Sequence, residues 1–180
     1  MCSVVSQIWH CRSILNCQSG ELTERIETML NRLQDVFKFF QQHEVKYLVI
    51  GGVASVLYGV PRATFDLDIL IEATIENARR LLAALVEAGF GTATITNAQD
   101  LVAHEITVFN DRVRIDVQTS TPGVSFQDAW SRRKTITYQG QNFFILSKED
   151  LINTKRASGR EVDLEDVRLL ELPDQDEATS

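Results

Sequence analysis

Two carboxylates alternate with apolar residues in one short segment of the chain. Residues 66–71 read DLDILI, and the apolar, β-branched end of this segment is typical of a buried strand. In a strand, residues i and i+2 share a face and lie about 6.6 Å apart. Asp66 and Asp68 are therefore expected on one face, with Leu67 and Ile69 directed into a core. Two adjacent carboxylates repel each other, and a divalent metal ion removes that repulsion.

A glycine pair lies thirteen residues before these carboxylates. The preceding Tyr47–Ile50 is apolar and β-branched, which predicts a short buried strand that stops at Gly51 and Gly52. Residues 53–58 are expected to form a short helix. Because glycine lets a ligand approach the backbone closely, a phosphate-binding turn is favoured here over a simple chain reversal.

A third carboxylate lies on a second predicted strand. Val113–Gln118 alternates so that Arg114, Asp116 and Gln118 share one face. A salt bridge from Asp116 to Arg114 or Arg112 is the structural alternative to a metal-binding role. The strand context and the position of Asp116 after a predicted hairpin favour the metal site.

The glycine pair, the Asp-Leu-Asp strand and the later strand aspartate occur in an order that resembles the nucleotidyltransferase signature of the DNA polymerase β-like superfamily. The resemblance implies an α/β fold, with a mixed β-sheet, flanking helices and a short C-terminal helical segment. It implies that Asp66, Asp68 and Asp116 are catalytic and hold two Mg²⁺ ions, with Asp116 also taking the acceptor proton. The substrate would be a nucleoside triphosphate whose phosphates lie against Gly51 and Gly52.

Further candidates for nucleotide binding flank this signature. Many superfamily members carry a serine after the first glycine, whereas Gly52 offers only its backbone N–H. Ser55, one turn further on, is the candidate substitute for that hydroxyl. Arg62 and Thr64 precede the carboxylates and are candidates to meet a phosphate. For Arg62, an ordinary surface arginine is an equal alternative.

A second resemblance covers residues 145–172, where a strand end leads to a helix with Lys155, a turn ending at Arg160, and a helix start at Asp163-x-x-Asp166. This segment looks like the C-terminal part of the abortive-infection type IV toxin (AbiEii-type) nucleotidyltransferases and their uncharacterised bacterial relatives. The resemblance implies that Lys155 and Arg160 meet phosphates of the nucleotide. For Lys155, a favourable cation at a helix C-terminus is the alternative. Asp163 and Asp166 are expected to cap and orient the last helix.

Composition limits the class of protein. The chain has 180 residues, 44% of them hydrophobic, which suits one domain with a sizeable core. A net charge of −7 gives no overall basic footprint for nucleic acid. No apolar run approaches the roughly 20 residues of a membrane span, so no membrane association is expected.

The cysteines lie close to the N-terminus. Cys2, Cys11 and Cys17 are the three in the chain, and the rest of the sequence has none. This distribution argues for a reducing, cytoplasmic location and against a disulfide framework. With His10 they form a conceivable zinc set, but the spacing matches no standard finger, and a loosely ordered leader over residues 1–20 is favoured.

Periodicity, caps and turn residues predict the remaining elements. Glu21–His43 and Ala73–Ala88 repeat apolar residues at three- and four-residue steps, as helices that pack on one face of a sheet do. Residues 92–101 are expected to form a short strand and a polar loop, and Asn110-Asp111 a two-residue hairpin turn. Other expected strands are at 104–109, 112–119, 134–138 and 142–146, and other expected helices are at 126–131, 147–157 and 163–172. The nucleotidyltransferase domain is expected to span residues 21–172, followed by a frayed acidic tail at 173–180.

The acceptor is not specified by these residues. The resemblance offers RNA (including tRNA ends), protein or a small molecule, and some relatives are toxins restrained by an antitoxin partner. An aminoglycoside- or lincosamide-type adenylyltransferase would need an acceptor pocket from a further domain or, for so short a chain, from a homodimer. A non-catalytic nucleotide- or partner-binding module that keeps the fold is a further alternative. The departure at Gly52 supports that module, and the three acidic residues favour the enzyme.

Overall fold

A six-stranded mixed β-sheet forms the middle of the molecule. The computed structural model describes residues 19–172 and, within the first helix, the side chains of residues 24, 27, 28 and 30 onward. In chain order the strands are β1 (Tyr47–Val49), β2 (Asp66–Ile71), β3 (Ile106–Asn110), β4 (Arg114–Gln118), β5 (Lys134–Tyr138) and β6 (Gln141–Ile145).

Three of the predicted strands are central in this sheet. The order is β3-β4-β2-β1-β6-β5, which places β4, β2 and β1 inside, as expected. The pairs β2–β4 and β1–β6 are parallel, and the other pairs are antiparallel. Parallel neighbours need long crossover connections, which the intervening helices provide. The expected α/β fold with a mixed sheet is therefore confirmed.

Helices surround the sheet. In the described residues they are α1 (Ser19–Gln42), α2 (Gly51–Leu57), α3 (Ile75–Glu87), α4 (Ala98–Ala103), α5 (Phe126–Arg132), α6 (Lys148–Ser158) and α7 (Glu161–Leu170), with a short 3₁₀ helix at Gly91–Ile95. None of the helices between residues 19 and 172 combines the length and the apolar character that a membrane span requires.

Helices α1 and α3 pack on one face of the sheet, as their apolar periodicity predicts. The Phe37 ring stacks on Phe143 of β6 at 4.4 Å between centroids, and Phe40 meets the Tyr47 ring edge-on at 4.9 Å. All four side chains are buried. The opposite face of the sheet carries the carboxylates of β2, with α2, α6 and α7 beside them.

Local capping chemistry sets the helix boundaries. Thr74 caps α3 by accepting a hydrogen bond from the Asn77 N–H, and Gly89 follows the helix with a φ of 85°, as a C-terminal glycine should. Ser147 likewise caps α6 through the Asp150 N–H. The Asp150 carboxylate also accepts two hydrogen bonds from the Arg132 guanidinium.

Two local predictions are wrong for one reason. Residues 92–101 form the 3₁₀ helix and α4, not a strand, and the turn between β3 and β4 has three residues, because Asn110 still pairs with Arg114. The Asp111 carboxylate accepts hydrogen bonds from the N–H groups of Gly91 and Thr92. This long-range contact draws the turn toward the 3₁₀ helix, which no local turn propensity can indicate.

The other hairpin is confirmed with a shorter turn than expected. Tyr138 pairs with Gln141, so Gln139 and Gly140 form a two-residue connection with φ values of 49° and 79°. Positive φ at both positions is the geometry that favours two-residue hairpins. The predicted leader, its alternative zinc set and the acidic tail lie outside the described residues, although α1 begins at Ser19.

A buried asparagine joins one end of the central β1–β2 pair to α3. Asn77, which is 3% exposed, accepts a hydrogen bond from the Lys46 N–H and donates to the carbonyl oxygens of Lys46 and Glu72. These backbone groups flank β1 and β2, so the amide fixes the register at the edge of the strands opposite Asp66.

We expect Asn77→Ala to lower the free energy of unfolding by about 1–3 kcal/mol, because the part-buried Lys46 N–H loses its partner. The carbonyl oxygens of Lys46 and Glu72 each lose one of two donors, since the N–H groups of Glu72 and Thr74 also donate to them. Chemical denaturation measures this difference. Asn142→Ala is the matched control, since Asn142 is exposed and its side chain accepts a hydrogen bond from Thr137 at the surface. A change below about 0.5 kcal/mol is expected for the control, and equal effects of the two substitutions would contradict the role given to Asn77.

Candidate active site

The three predicted carboxylates lie on one face of the sheet. In the parallel β2–β4 pair, Asp68 is the register partner of Asp116, and Asp66 is the partner of Arg114. Residues that face each other across a pair point to the same side, as do residues i and i+2 within a strand. The structure therefore brings Asp66, Asp68 and Asp116 together, in an arrangement that requires the crossover between β2 and β4.

Asp68 is the carboxylate that this arrangement affects most. Burial, the neighbouring charge of Asp116 and the charge of Asp66 raise the pKa of Asp68 from 3.8 to about 6, against a lowering by the Gly52 N–H and by the Arg160 charge. A carboxylate held in a region of excess negative charge gains from any cation that joins it. Asp68 is thus the carboxylate of this site whose negative charge is most strongly disfavoured.

Arg114 is the cation that the protein itself supplies at this place. Its Nε and Nη2 donate to both oxygens of Asp116, at 2.7 and 2.8 Å, and its Nε lies 3.9 Å from Asp66. The salt bridge considered as an alternative for Asp116 is therefore present. It leaves Asp68 without a direct cationic partner among the described contacts, since Arg160 acts on it only through its charge.

The carboxylate set fits a hard divalent cation in its chemistry. Three acids lie on one face, and burial together with the charges of the other two raises the pKa of Asp68. They provide the oxygen ligands and the negative charge that Mg²⁺ prefers. In the present side-chain positions of residues 19–172, no three His, Cys, Asp or Glu side chains already converge on one point. Arg114 donates to both oxygens of Asp116, which uses two of the about four lone-pair sites of that carboxylate and leaves the others available to an ion shared with Asp68.

The glycine pair touches the carboxylates directly. Gly51 has a φ of 62°, and a Cβ at this position would lie 2.3 Å from Oδ2 of Asp68. Both the backbone conformation and the close approach therefore require glycine. At Gly52 a Cβ would lie 2.6 Å from Oγ1 of Thr64 and 3.7 Å from Cζ of Arg62. The glycine turn, Thr64 and Arg62 thus form one wall beside Asp68.

Ser55 is fully buried and faces away from solvent. Its hydroxyl lies 3.0 Å from the carbonyl oxygen of Gly51 and 3.1 Å from Oδ2 of Asp166. Ser55 is the candidate to replace the serine that many superfamily members carry after the first glycine, and in that role its hydroxyl would be free to bind a phosphate. In the structure, Ser55 instead ties the start of α2 to α7.

Lys155 also lies deeper than the sequence indicates. Its Nζ is 2.8 Å from Oδ1 of Asp163 and 2.7 Å from Oδ2 of Asp166, and the residue is 3% exposed. The expectation that Asp163 and Asp166 cap the last helix is wrong, because the N-cap of α7 is Arg160, with no side-chain cap. Both carboxylates instead pair with the α6 lysine, and Arg160 and Arg62 attach to them.

A cavity of about 260 Å³ lies at the C-terminal ends of β2 and β4, and its lining includes Glu72 but none of the three carboxylates of the candidate site. One of its walls is Leu70, which follows Asp68 by two residues in β2 and therefore points to the same side. The lining combines apolar and hydroxyl side chains and includes Val124, Phe126, Thr74, Thr119 and Ser125, with no lysine or arginine.

Sequence reasoning assigned Arg114 only as a structural alternative and missed Asp166 as a connecting residue. The Arg-x-Asp spacing on β4 was the available signal for the first, since i and i+2 share a strand face. No sequence signal exists for the second, because Ser55 and Asp166 are 111 positions apart and meet only through the packing of α7 on α2.

We expect Asp68→Asn to stabilise the metal-free protein at pH 8 and to leave its stability nearly unchanged at pH 4. The pKa of Asp68 is raised on folding, so its favourable contribution is complete below pH 3.8 and is lost as the pH rises through about 6. Above that range the charged form costs up to about 3 kcal/mol, which asparagine avoids. Melting curves at the two pH values measure the effect.

The control for this experiment is Asp35→Asn. The Asp35 carboxylate is 63% exposed and faces Arg112 on the surface, where a charge change has little effect on stability. A mutant at Asp68 that melts lower than wild type at pH 8, as loss of a stabilising salt bridge would cause, contradicts the charge balance described here.

Comparisons with known proteins show the family and the fold of the chain. Residues 24–176 match the model of a family described as "Nucleotidyltransferase of unknown function (DUF6036)". The crystal structure of a putative nucleotidyltransferase from Thermotoga maritima shares the fold, with a TM-score of 0.53 and 16% identity, over 78% of this chain and 90% of that one. No curated protein matches the chain.

At this low identity the structural likeness shows the fold alone. The family match covers most of the chain, including the glycine turn, the three carboxylates and the α6–α7 pair. The chain therefore belongs to this family of nucleotidyltransferases of unknown function.

Proposed function

We propose that the protein transfers a nucleoside monophosphate from a nucleoside triphosphate to an acceptor hydroxyl, in a reaction that depends on Mg²⁺. The observation that carries this proposal is the register pairing of Asp68 with Asp116, with Asp66 on the same face and the Gly51 backbone in contact with Asp68. Carboxylates on two adjacent strands beside the two glycines that begin α2 suit metal-assisted phosphoryl transfer.

The sheet order suggests where each substrate lies. The glycine turn follows β1, the two aspartates are on β2, and Asp116 is on β4, next to the edge strand β3. The triphosphate would therefore approach from the β1 side, along Gly51 and Gly52. The acceptor would approach from the β3–β4 side, where Asp116 lies. When bound, two Mg²⁺ ions would neutralise charge on the attacking and leaving oxygens.

The residues of the chain would perform the other parts of the reaction. The acceptor oxygen forms a bond to the α-phosphorus, the bond from that phosphorus to the bridging oxygen breaks, and pyrophosphate leaves. Asp116 takes the acceptor proton in this scheme. Asp66 and Asp68 hold the metal, while the Gly52 N–H, Thr64, Arg62 and Arg160 form the surroundings of the triphosphate.

Several acceptors are consistent with the site. RNA, including tRNA ends, and protein hydroxyls are proposed from the family likeness, together with a toxin role controlled by an antitoxin partner and a cytoplasmic location. The cavity beside Leu70 favours a small hydroxyl-bearing acceptor, because its lining has hydroxyl groups and no cation to hold phosphate. That observation keeps an antibiotic adenylyltransferase among the candidates, with a homodimer as a further source of an acceptor pocket.

One observation favours the non-catalytic alternative. Arg114 engages both oxygens of Asp116, which is the arrangement of a structural salt bridge. The raised pKa of Asp68 opposes this alternative, because a purely structural site gains nothing from an unbalanced buried carboxylate.

We expect nucleoside triphosphate binding to require a divalent cation. The triphosphate and the carboxylates would otherwise repel each other at the site, since Asp66, Asp68 and Asp116 share one face. Titration calorimetry of each nucleoside triphosphate with Mg²⁺ and with EDTA measures the requirement. Equal affinities under the two conditions would leave the carboxylates without the proposed role.

We expect Asp68→Asn to reduce nucleotide transfer by about 1,000-fold or more, because metal-ion catalysis contributes several kcal/mol and each 1.4 kcal/mol is tenfold in rate. The assay incubates the protein with α-labelled nucleoside triphosphates, Mg²⁺ and total RNA or protein, and detects the labelled acceptor. Asp35→Asn is the control and should transfer at the wild-type rate. A folded Asp68→Asn protein that transfers normally would overturn the metal-site assignment.

A further inference from the structure

One buried lysine connects two buried carboxylates between α6 and α7. Nζ of Lys155 lies 2.8 Å from Oδ1 of Asp163 and 2.7 Å from Oδ2 of Asp166. The three side chains are 4%, 3% and 4% exposed. These three residues carry one positive and two negative charges, so the group by itself is one cation short of balance. Buried carboxylates are costly unless they are fully paired.

Two arginines complete this group, one on each carboxylate. Nη1 of Arg62 donates to Oδ2 of Asp166 at 2.7 Å, and Nε of Arg160 donates to Oδ2 of Asp163 at 2.6 Å. Both arginines are more exposed than the group they attach to, at 29% for Arg62 and 71% for Arg160. A guanidinium has five N–H donors, so each arginine retains donors beyond those used on its carboxylate.

Both arginines lie near the proposed triphosphate turn. Cζ of Arg62 is 3.7 Å from the position of a Cβ on Gly52, and the charge of Arg160 acts on Asp68. Asp166 is tied to the same turn, because the Ser55 hydroxyl lies 3.1 Å from its Oδ2 and 3.0 Å from the Gly51 carbonyl oxygen. The buried group, the glycine turn and both arginines are therefore one connected unit.

We propose that Asp163, Lys155 and Asp166 form a positioning bridge that holds Arg62 and Arg160 as a two-arginine clamp on the phosphates of the nucleotide. This inference rests on the proposed nucleotidyltransferase function. It gives Lys155 a role different from the one suggested by its sequence, since its ammonium group is engaged by two carboxylates and stays out of contact with the nucleotide.

The physical advantage of such a bridge is preorganisation. A free arginine side chain carries about 2 kcal/mol of rotamer entropy, which a phosphate would have to overcome on binding. An arginine already fixed on a buried carboxylate has lost that freedom during folding, so its remaining donors bind phosphate at a lower cost. Lysine suits the centre because its ammonium group donates to carboxylates on two sides.

Binding of inorganic tripolyphosphate in the presence of Mg²⁺ tests the bridge independently of the base and of the acceptor. Calorimetry would compare Arg62→Gln, Asp166→Asn and the double variant, and likewise Arg160→Gln, Asp163→Asn and their double variant. We expect each single substitution to weaken binding about tenfold, which corresponds to about 1.4 kcal/mol. Each double variant should bind no more than about twofold more weakly than its singles, because the aspartate acts through the arginine.

The matched control is Arg156→Gln. Arg156 also lies in the last turn of α6 and pairs with a carboxylate, that of Glu171, but both side chains are about half exposed. Its tripolyphosphate affinity should equal that of the wild type. If Asp163 and Asp166 had a purely structural role, their substitution would lower the melting temperature. The loss of affinity in each double variant would then be the product of the losses in its two single variants, and this result would overturn the clamp.

Wild-type binding separates the two proposals. If the wild type fails to bind tripolyphosphate, the proposed function and the clamp both fail. If it binds and the double variants are multiplicative, the clamp alone fails. Should an asparagine variant not fold, Arg62→Gln and Arg160→Gln remain decisive, because both arginines are partly exposed and wild-type affinity in both would overturn the clamp.

Discussion

The parallel pairing of β2 with β4 places Asp68 directly beside Asp116. Two carboxylates in this relation repel each other, and burial of Asp68 adds to the cost of its charged form. Leu67, Ile69, Ile115 and Val117 are buried in this register, and a slip of β2 by one residue would move Leu67 and Ile69 to the opposite face. The hydrophobic core therefore fixes an electrostatic strain that the protein balances only in part.

The charged groups around Lys155 and those around Asp68 are paired to different extents. Around Lys155, each buried carboxylate has at least two hydrogen-bonding partners, and the group has the character of a rigid support. Around Asp68, the strong cationic contact within residues 19–172 is the one from Arg114 to Asp116, and it is partly exposed. A support gains from complete pairing, whereas the proposed site for a metal and a triphosphate would gain from incomplete pairing.

These two groups meet at the glycine turn. Gly51 touches Asp68, and Ser55 connects the same turn to Asp166. A displacement of α7 would therefore change the position of the glycine turn and, through it, of Asp68, although α7 and β2 are distant in sequence. The C-terminal helix pair is thereby connected to the first strands, and the family match spans both.

The central strands, the amphipathic helices and the hairpin at Gln139-Gly140 followed from the sequence, because periodicity, capping residues and turn residues act over a few neighbouring positions. The sequence also placed Asp66 and Asp68 on one strand face and supplied a third acid on a later strand. Local patterns failed at residues 92–101, where the Asp111 side chain fixes the backbone from a distance.

The sequence by itself thus determined which residue types were available for the site and on which strand faces they lie. Only the tertiary structure decided their partners: Arg114 on Asp116, Lys155 between two aspartates, and Ser55 on Asp166 rather than free. The physical reason is that charge pairing depends on distance through space. A sequence fixes the distance between Asp66 and Asp68, but the distance from Lys155 to Asp166, or from Asp68 to Asp116, is set by the packing of helices and the order of strands.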